Sequence, residues 1–132
     1  MIYNGNHVTI EMEGKTFHCA LDITMHFLGG KWKSIILYYL LEGPQRFSQF
    51  RKHIPDLSER VLSQQLKELE ADGLIQRKVF AEVPPRVEYS LTPFGIQAKN
   101  ILEAMGEFGQ KVGKTRGKMI TRPIVQPESI GI

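Results

Sequence analysis

Arg60, Ser63, Gln64 and Lys67 stand three and four residues apart, the spacing that gathers side chains on one side of an α-helix. They bring donors, acceptors and positive charge, with no bulky hydrophobe among them. Gln64 can bond an adenine edge with both ends of its amide, and Arg60 can reach a guanine or a phosphate. That is the chemistry of reading base edges in a DNA major groove, but a lone polar helix face is ordinarily only solvated. The neighbouring residues have to decide between the two. Val61, Leu62, Leu66 and Leu69 form an apolar stripe on the same helix and require a core beneath them. Ser58 is a good N-cap and joins the candidate DNA-contacting set, Asp56 is a competing cap, and Gly73 supplies a left-handed end.

A second polar set, Ser48, Gln49, Arg51 and Lys52, falls on a short helix over 47–53. It suits phosphate contacts, which fix register without carrying sequence information. Lys78 and Arg86 flank a turn and belong with these backbone-contacting residues. Glu82 at the tip of that turn has the wrong sign for a phosphate, so the strand bases are expected to contribute more than the tip. Arg77 reads equally well as an ordinary strand-face charge. Cys19, the single cysteine, precedes the first apolar helix. Helix N-termini favour thiolates, which suits a thiol sensor; a buried structural cysteine is the plainer reading, and both stay open. With no second cysteine, oxidation would end in an intersubunit disulfide or a small-thiol adduct. His18, Asp22 and His26 share one helical face as a metal trio would, though residues so spaced are more often unrelated polar positions. Gly29-Gly30 lacks the rest of a GxxxxGK[ST] loop, and no Ser–His–Asp order stands out. No catalytic residue, metal or cofactor is therefore expected, and the chain does not read as an enzyme.

Punctuation and periodicity place the elements that must position these residues. The stretch 8–13 alternates with period two and Gly14-Lys15 turns it before 16–18, so 1–18 reads as an arm or short hairpin. An apolar helix over 20–28 stops at Gly29-Gly30, and a second over 31–41 closes at Gly43-Pro44. Trp32 suits a core anchor better than a base-stacking platform. Ile54-Pro55-Asp56 ends the short helix. Strands are expected over 74–80 and 86–91, the second with Val87, Tyr89 and Leu91 inward and Arg86, Glu88 and Ser90 wet. Thr92-Pro93 opens a long helix. The fold class is α+β and mostly helical: a winged helix-turn-helix with a two-stranded wing and a C-terminal dimerisation helix.

On that last helix, Phe94, Ala98, Ile101, Met105, Phe108 and Val112 recur at alternating steps of four and three. Such a seam packs against another helix. A short N-terminal helix could cover it within one subunit, but a symmetric partner is favoured, because a two-fold protein reads a two-fold operator. Gly106, Gly109 and Gly113 each weaken the helix by about 1 kcal/mol relative to alanine. They allow close helix approach or mark fraying. Residues 118–132 read as a loose tail.

Composition sets the outer bounds. A length of 132 residues with 42% hydrophobic and 23% charged content suits one domain, here 19–117, with extensions. The net charge of +3 permits nucleic-acid binding without establishing it. One basic cluster (Arg46, Arg51, Lys52, Arg60, Lys67) surrounds the polar-faced helix; another (Lys111, Lys114, Arg116, Lys118, Arg122) lies near the end. The lone cysteine excludes an internal disulfide and a zinc site built on several thiolates. The longest apolar run, 35–41, is too short to span a bilayer, and 1–17 lacks the pattern of an export signal, so a cytoplasmic location away from membranes is expected.

Several motifs, in register, resemble the HxlR-type transcriptional regulators. They are Cys19, Leu28-Gly29-Gly30-Lys31-Trp32-Lys33, Ile36-Leu37, Gly43 and Arg46-Phe47-Ser48-Gln49-Phe50. They continue through Ile54-Pro55-Asp56-Leu57-Ser58, Leu62-Ser63-Gln64-Gln65-Leu66-Lys67-Glu68-Leu69-Glu70 and Asp72-Gly73-Leu74. Arg77, Val83-Pro84-Pro85, Val87-Glu88-Tyr89-Ser90-Leu91-Thr92 and Gly95 complete them. Ala20 stands where that family usually has proline, and glycines replace its tryptophan-bearing last turn. The resemblance implies a dimeric winged-helix DNA-binding protein of bacteria or archaea. The expected function is therefore sequence-specific transcriptional regulation by a homodimer on a pseudo-palindromic operator. Its partners would be double-stranded DNA, a second copy of itself and an oxidant or small-molecule effector. The alternatives are a regulator whose ligand sits between wing domain and dimer helices without thiol chemistry, and a winged-helix protein-interaction module that never touches DNA. A metal-dependent enzyme comes third.

Overall fold

Asn4-Gly5 and Glu13-Gly14 are the only consecutive residue pairs with positive φ (52° and 77°, 51° and 75°) among the described residues, and each makes a hairpin turn. Such pairs twist the backbone the way the flanking strands need. In the computed structural model, which describes residues 2–124, the first joins β1 (Ile2–Tyr3) to β2 (Asn6–His7). The second joins β3 (Ile10–Met12) to β4 (Lys15–Phe17). The expectation over 1–18 is an arm or a short hairpin, and two hairpins are present; Asn4-Gly5 is itself the signal for the extra one. Buried Phe17 meets the His26 ring edge-on at 5.4 Å and fastens the second hairpin to α1 (Ala20–Leu28).

Gly30, with φ 86°, separates α1 from α2 (Lys31–Leu40), and Ser34 Oγ donates to the Leu28 carbonyl at 2.6 Å across the junction. Ile36, Leu37 and Leu40 of α2 are buried, and Trp32 packs half-buried against the same core. Phe50 from α3 (Phe47–His53) and Leu62, Leu66 and Leu69 from α4 (Glu59–Ala71) complete its centre. Ile54 and Leu57 in the connecting turn are buried too, so two apolar anchors set the angle between α3 and α4. Ser58, rather than Asp56, caps α4, its Oγ accepting from the Val61 amide at 3.2 Å. Gly73, at φ 78°, ends the helix in the left-handed region.

β5 (Ile75–Phe80) and β6 (Arg86–Leu91) form the wing, antiparallel, with Ile75 opposite Leu91 and Phe80 opposite Arg86. Gln45 adds a one-residue third strand that the sequence does not announce: it exchanges backbone hydrogen bonds with Tyr89 at 2.9 and 2.8 Å. Every position of β6 is half-buried, not the clean alternation expected. The outward residues are covered by one another, Arg86 bonding Glu88 at 2.6 Å and Gln76 Nε2 donating to Ser90 Oγ at 3.1 Å.

The expected long helix from Thr92-Pro93 is in fact two, α5 (Pro93–Ile96) and α6 (Lys99–Arg116). Gly95 explains the break. A Cβ there would lie 2.1 Å from the Leu74 carbonyl oxygen, so the first turn is pressed onto the start of the wing. The chain must then turn at Gln97-Ala98 before α6 can lie along α2. Ala98 and Leu102 are buried, and Gly106 sits where a Cβ would come within 2.9 Å of Tyr38 Oη. Gly106 therefore permits close helix approach. Gly109 and Gly113 face open space, and α6 runs unbroken past both, which is not fraying. Residues 118–124 carry no regular structure; the rest of the expected tail, 125–132, lies outside the described residues. Among the described residues, no helix is long and apolar enough to cross a membrane.

Candidate nucleic-acid interface

The helix α4 has two faces of opposite chemistry. Leu62, Leu66 and Leu69 are fully buried, which by helical geometry turns Arg60, Ser63, Gln64 and Lys67 away from the core. Arg60, Gln64 and Lys67 are exposed and Ser63 is half-buried. The side-chain bonds that α4 does make lie on its flanks: Glu59 with Arg51 of α3 at 2.5 Å and Glu68 with Lys33 of α2 at 3.2 Å. These brace the helix from both sides. Among the described residues, they leave the side chains of Arg60, Ser63, Gln64 and Lys67 unengaged.

The expected phosphate-contacting residues divide. Ser48 is exposed and Lys52 half-buried, and among the described residues Lys52 has no ion pair. Gln49 caps its own helix, its Oε1 accepting from the Arg46 amide at 2.7 Å, so only its amide N–H groups remain to donate outward. Arg51 is committed to Glu59, with a side chain only 17% exposed. Lys78 is exposed with Nζ 4.8 Å from the Phe80 ring centroid. Arg86 is the most heavily engaged. Its guanidinium stacks 3.8 Å from the Phe80 centroid, 3.2 Å from Glu82 and 2.6 Å from Glu88. Glu82, of the wrong sign for DNA, thus has a structural partner at the wing tip. Arg46 belongs to the basic cluster read from sequence but is not among the expected phosphate-contacting residues. The structure sets it beside Ser48, Pro84, Pro85 and Arg86 around the cleft between α3 and the wing.

Away from this face, the α6 stripe is only partly what its spacing suggests. Ile101, Met105, Phe108 and Val112 are exposed, Phe108 at 72%. Ala98 is core, and Phe94 lies before the break in the helix, edge-on to Phe27 at 5.4 Å. On α1, Leu21 and Met25 are exposed as well. Cys19 occupies the N-cap position of α1, half-buried and with no side-chain capping bond. His18, Asp22 and His26 do not converge: Asp22 accepts from the His18 amide at 2.9 Å, and His26 packs between Phe17 and Phe27. Among the described residues, no group of three His, Cys, Asp or Glu could hold a metal ion.

Comparison with known proteins places this geometry. The family model for HxlR-like helix-turn-helix proteins matches residues 27–116. The uncharacterized HTH-type transcriptional regulator YkvN of Bacillus subtilis (strain 168) is 40% identical over 116 residues, covering 88% of this chain and 98% of the relative. YdeP, another uncharacterized HTH-type transcriptional regulator of the same organism, is 47% identical over 93 residues, covering 70% of this chain and 73% of its own. Among solved structures, the redox regulator HypR in its oxidized form superposes with a TM-score of 0.69 at 45% identity, covering 70% of this chain and 96% of that one.

Proposed function

The chain belongs to the HxlR-like helix-turn-helix family of transcriptional regulators, and from that premise we propose that it acts as a cytoplasmic homodimer on a pseudo-palindromic operator. Each subunit lays α4 in a major groove. Arg60 and Gln64 read base edges, Ser58, Ser63 and Lys67 flank them, and Ser48, Gln49, Lys52 and Lys78 hold phosphates. Arg51 and Arg86 reach phosphates only by leaving their carboxylates. The exposed stripe Ile101, Met105, Phe108 and Val112 packs against its symmetry mate, helped by Leu21 and Met25 of α1. The observation that carries this reading is the unengaged polar face of α4, held outward by a fully buried leucine row.

Binding curves on an operator duplex selected from genomic fragments, and on its scrambled counterpart, test it. Gln64→Ala should weaken the operator by about 1–3 kcal/mol and leave the scrambled duplex nearly unchanged. Equal losses on both would refute the recognition assignment.

The half-buried thiol of Cys19 gives the regulator a redox input, a reading supported by the likeness to HypR, which is described in both oxidized and reduced forms. With one cysteine per chain, two Cys19 thiols from the two subunits would lose two electrons and two protons to an oxidant such as diamide and form one S–S bond. Diamide should change operator binding by the wild type and not by Cys19→Ser. The same response in both would remove Cys19 from the mechanism.

A further inference from the structure

A cavity of about 620 Å³ lies where the β3–β4 hairpin, α1, the end of α4 and the α5–α6 corner meet. That volume is in the range of small-molecule sites. Its walls are largely apolar, with Ile23, Phe27, Leu74 and Phe94 prominent and Ile101, the first residue of the proposed dimer stripe, among them; Phe27 and Phe94 meet edge to face within it. Its ionisable lining residues are both acids: Glu13 at the hairpin turn and Asp72 at the C-cap of α4. Neither has an ion-pair partner among the described residues, and no Lys, Arg or His lines the cavity. The C-terminal end of α4 adds the negative end of a helix dipole. An apolar hollow whose only charges are unpaired carboxylates repels anions and favours a cation with an apolar body; aromatic walls add cation–π attraction.

We propose that this cavity is a binding site for an apolar organic cation, of the arylphosphonium or lipophilic ammonium class. The site is also connected to the DNA-facing helix. Asp72 ends α4, the next residue's carbonyl accepts from Thr92 Oγ1 at 2.5 Å, and buried Leu74 follows. A ligand against Asp72 and Leu74 therefore touches the joint that fixes the end of α4 against α5. Binding itself stands apart from the operator reading; its effect on DNA affinity rests on that reading and is reciprocal with it.

Titration calorimetry of the full-length, DNA-free protein tests the site, with tetraphenylphosphonium as the probe and neutral triphenylphosphine oxide as the control. The cation should bind saturably, one per subunit, and at least about ten-fold tighter than the neutral compound. Glu13→Gln and Asp72→Asn should each weaken it by about five-fold, with unchanged circular dichroism. Equal binding of cation and neutral control, or full affinity in both variants, would overturn the proposal. So would the absence of binding by the folded protein. Operator affinity without the cation checks the regulator reading separately: cation binding by a protein that ignores DNA would sink that reading and leave the site intact. If both ligands bind and neither alters the other's affinity, the connection through Asp72 is wrong.

Discussion

The outer face of α4 and the wing both carry arginine and lysine, yet they are built on opposite electrostatic plans. Arg60 and Lys67 have no acidic partner among the described residues, whereas Arg86 is held by Glu82 and Glu88 and stacked on Phe80. A cation already paired must give up its carboxylate before it meets a phosphate, and an exposed pair is worth up to about 1 kcal/mol. A free cation gives up only water. Counting basic residues therefore overstates what the wing can add, and on the proposed reading it leaves α4 as the place where both affinity and sequence discrimination would concentrate. Arg51 repeats the wing's pattern on α3, with Glu59 as its partner. Its ion pair is a brace between two helices before it is anything to DNA.

The sharpest way to break the contrast is to attack what holds α4 in place. Leu66→Ala removes a side chain at 2% exposure from the inward face, and such truncations cost about 2–5 kcal/mol. Chemical denaturation should show that loss. Gln64→Ala, two residues earlier on the outward face, should change stability by less than about 0.5 kcal/mol. Comparable destabilisation by both would mean that Gln64 is a structural residue and that the free face has been misidentified.

Which parts of this arrangement could be read from sequence follows from the range of the forces involved. The Leu62, Leu66, Leu69 row and the Arg60, Gln64, Lys67 row are local periodicity, so both faces of α4, its Ser58 cap and its Gly73 end are legible in the chain itself. The two-stranded wing is legible for the same reason. Gln45 is not, because a single residue pairing with Tyr89 leaves no alternation behind. The break between α5 and α6 is set by how closely Gly95 approaches Leu74, some twenty residues away, and a proline at the helix start gives no hint of it. The partner of Arg51 is set by the turn between α3 and α4, since Glu59 lies eight residues on, whereas Glu82 and Glu88 lie four before and two after Arg86 and Glu88 shares its outward strand face. The organic-cation cavity draws its walls from five elements, so no stretch of sequence contains it.

A smaller effect, opposite in sign, comes from unmasking the wing. Glu82→Gln with Glu88→Gln removes both carboxylates from Arg86 and leaves the Phe80 stack in place. DNA of any sequence should then bind up to about five-fold tighter, the equivalent of one exposed ion pair. The dependence on salt should steepen by about one released counterion per subunit. Gain on the operator alone would contradict the argument, since a phosphate contact carries no sequence information.

The smallest expected effect is the most discriminating. If Glu82 and Glu88 hold Arg86 off the phosphates, then Arg86→Ala in the otherwise unaltered protein should lower DNA affinity by less than about two-fold, because no phosphate contact is lost and the two carboxylates left behind act only through salt-screened repulsion. The same substitution made on top of Glu82→Gln and Glu88→Gln should cancel their gain. That non-additivity is the signature of coupled charges, and a thermodynamic cycle isolates it from any change in wing packing common to both backgrounds. An arginine that acted on DNA directly would instead lose the same affinity with or without its acids. Equal losses in the two backgrounds would show that the wing's cation is available despite its partners, and the electrostatic distinction between wing and recognition helix would disappear.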